Sequence, residues 1–267
     1  MRKLSFLAVA IAAVLFAACG GKKAAQTTEE QAAEKSFEQE QLEASIKQNF
    51  DSLAAEVAKL KQLPITEKNG KIVLTEEERQ VKPDYLLNPA VAESATGLSD
   101  KYRVLSALQV DCEIAKLYDM STQDYDSQIA KLLVDINDPS FEVMNESSNI
   151  VEGSQALYDA MNQNGRINYY WQIVASALVE QLYIISHDTD KFLTAFDDET
   201  ASNVSIRIII IQEAIKRLAE YDPELELVAK VLQPLDVINA TTVAELKEEI
   251  AEAATPIEVA RTALVME

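Results

Sequence analysis

The run Ile206-Arg207-Ile208-Ile209-Ile210-Ile211 has the side chains of a β-strand and the spacing of a helix. β-Branched residues suit a pleated sheet. Yet Val204, Ile208, Ile211, Ile215 and Leu218 recur at intervals of three and four, and no turn residue bounds the run. That period belongs to an α-helix, here one apolar nearly all round and therefore central. A second segment, with Trp171, Val174, Leu178, Leu182 and Ile185, has the same character. Only six glycines occur in 267 residues, so few positions suit tight turns. Together these features predict an all-α fold, an irregular multi-helix bundle with those two helices at its hub.

The other elements follow from stop and start signals. A first helix is expected from about Ser36 to Leu63, closed by Pro64, with Leu42, Ile46, Phe50, Leu53, Val57 and Leu60 as a narrow stripe. The stripe is shorter than the sustained heptads of a coiled coil, so packing on its own domain is expected. Asn69-Gly70 between Ile65 and Ile72-Val73-Leu74 is a hairpin signal, and a small β-hairpin near 65–75 is the one candidate for β-structure. Thr75 and Glu78 stand at capping-box spacing before a short helix. Asp84 to Gly97, with Pro89, reads as irregular. Helices are then expected from Ser99 to about Asp119, from Ser121 or Thr122 to about Ile136, and from Asp138-Pro139 towards Asn162, with Gly153 as a candidate break. Others follow over Arg166–His187, Lys191–Asp197 and Ala201–Tyr221, from Asp222-Pro223 to Pro234, from Thr241 or Thr242, and from Thr255-Pro256.

The N-terminus carries a different message. Arg2 and Lys3 precede an almost unbroken apolar run, Leu4 to Ala18, that ends in small residues before Cys19. The run is shorter than the ~20 residues a membrane span needs and fits an export signal. Phe16-Ala17-Ala18-Cys19 resembles the lipobox of bacterial lipoproteins, with Phe16 where that family prefers Leu. The resemblance is confined to residues 1–19. It implies cleavage before Cys19, a diacylglycerol on its sulfur, and anchoring to the envelope of a didermal bacterium. Gly20, where that family places Asp for inner-membrane retention, implies the outer membrane. Gly20-Gly21-Lys22-Lys23 lacks the acidic residues of surface-exported members, which implies the periplasmic face. The expected organisation is a signal over 1–18, a lipidated tether over 19–35 and a helical domain over 36–267. An ordinary secretory signal, leaving a soluble protein, is the alternative.

Loss of two cations with the signal takes the net charge from −20 to −22. Such a chain repels phosphates, which excludes nucleic acid as a partner. It also repels an anionic lipid surface, so the membrane contact is assigned to the lipid. Cys112 is the other cysteine of two, so with Cys19 acylated no intrachain disulfide is expected. On the Leu105, Leu108 and Ala115 side of its helix, Cys112 reads as a buried, inert thiol.

Few residues speak of chemistry. The single histidine, His187, falls at a helix end, where its cation would favour the dipole. No zinc-type His/Cys set exists, and Asp188-x-Asp190 and Asp135-x-Asn137 fail as calcium loops for want of the central glycine, so no metal and no cofactor are expected. No phosphate loop, dinucleotide fingerprint or nucleophile elbow is present. Two groups stand out. Asp111, Glu180 and Arg207 are each flanked by apolar residues three and four positions away, so they are expected to point inward, with Asp111 or Glu180 paired to Arg207. Arg166 with Tyr169, Tyr170 and Trp171 is a candidate ligand-binding group, since aromatics at a pocket mouth stack on planar ligands. The expected function is a non-catalytic envelope protein that binds a protein or glycan partner, or serves as a scaffold. The alternative is a small-molecule or glycan-binding lipoprotein with its pocket near Tyr169–Trp171.

Overall fold

The computed structural model describes residues 47–60, 63–65, 72–143 and 155–266. The expected signal, the tether and Cys19 lie outside them. The chain divides into a unit Met1–Lys47 and a compact unit Gln48–Glu267, and the fold below is that of the second.

The described residues are helical, with no strand among them. Residues 47–59 form α1. They are followed by α2 (Glu76–Gln80), α3 (Leu98–Leu117), α4 (Gln123–Ile136), α5 (Gln155–Gln163), α6 (Ile167–His187), α7 (Thr189–Phe192), α8 (Asp198–Ala219), α9 (Leu225–Leu232), α10 (Val243–Glu252) and α11 (Ala254–Val265). Short 3-10 turns at Pro89–Glu93, Pro139–Val143, Leu193–Ala195 and Gln233–Val237 join them. The first lies inside the stretch read as irregular, where Asn88 Oδ1 accepts the Ala90 N–H. Ile65 and Ile72–Thr75, the described flanks of the hairpin signal, carry no ladder, and Asn69-Gly70 lies outside the described residues.

Local chemistry sets the helix ends. Thr75 with Glu78 and Thr242 with Glu245 form complete capping boxes, as their spacing predicts. Asp197 accepts the Thr200 N–H at the start of α8. Asn137 ends α4 in the left-handed region (φ 48°), which asparagine tolerates better than most residues. Gly165 (φ 68°) turns the chain between α5 and α6, where a side chain would be strained.

The Ile run is helical, within α8. Its helix is less central than expected, because Ile206 and Ile209 are exposed. The hub is α6 against α3 instead, with α11, α8 and α5 packed around α6 and α9 behind α8. Trp171, Tyr170, Leu105, Leu108 and Ile114 are fully buried at this centre. The apolar stripe of α1 turns inward through Phe50, Ala54 and Val57, and Phe50 meets Trp171 at 6.5 Å between ring centroids.

Candidate functional site

The hub buries charge as well as apolar surface. Asp111 on α3 is fully buried, Glu180 on α6 is 1 % exposed and Arg261 on α11 is 7 % exposed. Arg261 Nε donates to both Glu180 carboxylate oxygens (2.9 and 3.0 Å), and its Nη2 donates to Oε1 (2.8 Å). Nη2 also donates to the Tyr85 carbonyl at 3.1 Å. The guanidinium lies 3.8 Å from the centre of the Tyr183 ring. A fork of this kind is the arrangement in which a buried ion pair offsets its own desolvation best. Burial alone would lower the guanidinium pKa, but the Glu180 bonds outweigh it and leave the group raised.

Asp111 sits beside this pair. Its Oδ2 accepts the Leu87 N–H at 2.6 Å, while Tyr125 Oη donates to the Leu87 carbonyl at 2.7 Å. One residue of the segment before α3, Leu87, is thus held through its backbone from both α3 and α4. Asp111 Oδ1 receives no donor, and the Glu180 carboxylate stands within hydrogen-bonding range of the Asp111 carboxyl. Burial, and then the Glu180 charge, hold the Asp111 carboxyl well above the usual carboxylate range, against the opposing pull of the Leu87 amide and Arg261.

The structure changes one expected pairing. Asp111 and Glu180 point into the core together, as expected, but the cation between the helices is Arg261 rather than Arg207. Arg207 is buried on α8, close enough to act electrostatically on Tyr170. Arg261 carries the same signal that marked the others, with Ile257, Leu264 and Val265 three and four residues away. A third buried arginine, Arg103, carries no such signal, with Ser99, Asp100 and Ser106 at those spacings. Arg103 Nε donates to the Leu264 carbonyl (3.0 Å), Nη1 to Gln172 Oε1 (2.6 Å) and Nη2 to Asp100 (2.5 Å), tying α3 to α6 and α11.

The aromatic group is split. Tyr170 and Trp171 are fully buried, Tyr170 edge-on to Tyr158 and to Trp171. Tyr169 is half-buried, stacked on Tyr102 at 4.5 Å, with Arg166 5.5 Å from its ring centre. Only Arg166 and Tyr169 of the four therefore reach solvent. His187 is exposed at the end of α6, and its Nδ1 lies 2.9 Å from the Tyr183 carbonyl. Cys112 is buried, and burial pushes its thiol up to about 11.

Two surface grooves are also present. One, of about 410 Å³, lies between Ile72–Leu74 and α7, where Lys191 bonds Asp188 and Lys247 bonds Asp190. The other, of about 550 Å³, follows Asn137–Glu142. Among the described residues no three His, Cys, Asp or Glu side chains are grouped to hold a metal ion, and no helix is long and apolar enough to cross a membrane. No protein-family model, no curated protein and no solved structure matches the chain.

Proposed function

We propose that this chain is a lipoprotein of a didermal bacterial envelope, anchored through Cys19 at the periplasmic face of the outer membrane. Its helical unit acts as a non-catalytic binding or scaffolding body. The observation that carries the reading is the order Arg2-Lys3, apolar run, Ala17-Ala18-Cys19, followed by Gly20. The helical unit fits a binding role by its economy of accessible chemistry. The Asp111 carboxyl, held well above its usual range, is sealed in the core beside the Glu180–Arg261 pair, and the one histidine faces its own helix backbone. Burial of Tyr170 and Trp171 speaks against a ligand pocket built on that aromatic group.

Two measurements test the two halves. In a didermal host supplied with an alkyne fatty acid, the wild-type chain should be labelled and partition with membranes, and Cys19→Ser should lose both. Labelling that persists in Cys19→Ser overturns the anchor. Co-purification in mild detergent should bring a protein or glycan in fixed ratio. A helical unit that elutes alone at every detergent and salt condition contradicts the scaffold.

A further inference from the structure

We propose that Asp111 is a buried proton-binding site, occupied at neutral pH, so that the core formed by α3, α6 and α11 tightens as the medium acidifies. The case begins with a charge count. Two carboxyl groups, Asp111 and Glu180, share a closed space with one guanidinium, that of Arg261. Arg261 directs its bonds to both Glu180 oxygens and the Tyr85 carbonyl, and none of them reaches Asp111. Asp111 receives a single donor, the Leu87 amide, and no donor reaches its buried Oδ1. An ionised Asp111 would be a second anion against one cation, out of reach of water, with one of its two oxygens receiving no donor. A proton removes the net charge and gives the Asp111 carboxyl a donor for the Glu180 carboxylate within its reach.

Among the described residues the surrounding groups do not supply another counter-charge. From α6 the neighbours are Glu180 and Tyr183, from α11 Arg261, from α4 Tyr125, and from the segment before α3 Tyr85. The tyrosines are neutral, and burial raises Tyr85 and Tyr125 further. Burial and the Glu180 charge raise Asp111 in agreement with the count.

The sign follows from linkage. An unfolded aspartate releases its proton near about 3.9, whereas the folded one keeps it to a higher pH. Between those limits the native state holds one proton more, so stability falls as pH rises and recovers on acidification. Asp111→Asn copies the protonated form in shape and donor capacity. Urea unfolding of the full-length protein in detergent, from pH 5 to 8, tests this. The ratio of unfolding constants, wild type over Asp111→Asn, is expected to grow about tenfold per pH unit up to the folded pKa. A ratio that stays constant with pH overturns the proposal, as does one that falls with rising pH. A second measurement does not depend on the variant. In protein carrying carboxyl-13C aspartate, one folded-state resonance should keep the chemical shift of a neutral acid at pH 7 and move to the aspartate position on unfolding. Titration of every aspartate signal near about 4 in the folded protein refutes it.

Discussion

Removing the cation from the core should be the most damaging single change in the molecule, and its cost can be worked from the geometry. Arg261→Met keeps much of the aliphatic stem but deletes three N···O contacts of 2.8–3.0 Å to Glu180. Both partners are nearly sealed from water, so solvent screening offers no relief. Breaking a buried pair in this way typically costs about 3–5 kcal/mol. The abandoned carboxylate can escape only by taking a proton. An ordinary glutamic acid titrates near 4.3, so holding that proton at pH 7 costs about 1.4 kcal/mol for each of roughly 2.7 pH units, close to 4 kcal/mol. The two routes agree on a loss of about 4 kcal/mol, a large share of the roughly 5–15 kcal/mol that keeps a domain folded. Urea unfolding followed by circular dichroism should show it, and the loss should shrink on going from pH 7 to pH 5 as the escape becomes easier. Arg261→Met combined with Glu180→Leu removes both charges and should recover most of the stability. A single-variant loss under about 1 kcal/mol, or a double variant no better than the single, refutes the reasoning.

Two further outcomes are expected. The Cys112 thiol, buried and pushed up to about 11, should resist an aromatic disulfide reagent at pH 8 in the folded protein and react at once in urea, as read by absorbance. Gly165→Ala should cost about 1–2 kcal/mol in the same unfolding assay, because nothing stands within 4 Å of the added Cβ and the loss is the left-handed backbone alone.

The parts of this fold that were legible in the sequence are those set by neighbours along the chain. The Thr75–Glu78 and Thr242–Glu245 boxes span three residues, and each closes as its spacing predicts. The helical period of α8 outweighed the strand propensity of its isoleucines because the period extends past them. The hub was harder. Arg103, Ser106 and Asp111 interrupt the apolar surface of α3, so the helix looks two-sided although it is buried on nearly all sides. Ser106 bonds back to the Arg103 carbonyl of its own helix, while Asp111 and Arg103 find partners outside α3. Arg103 reaches Gln172 and the Leu264 carbonyl, and the Ser176 hydroxyl donates to the Arg103 carbonyl at 2.9 Å. The same limit explains the exchanged cation. Apolar neighbours mark Asp111 and Glu180 as inward-facing, but which arginine meets Glu180 depends on how α11 returns across α6, a contact 81 residues away in the chain. The aromatic group shows the converse. Three consecutive residues cannot share one face of an exposed helix, but on an encircled helix two adjacent residues, Tyr170 and Trp171, can both be core.

The central functional claim rests on one sulfur atom. An intact-mass measurement on the protein extracted from membranes addresses it directly. The account predicts a chain beginning at Cys19, heavier than residues 19–267 by a diacylglycerol on the thiol and with no residue of the Met1–Ala18 segment retained. A free Cys19 thiol, or a chain that still carries that segment, contradicts it.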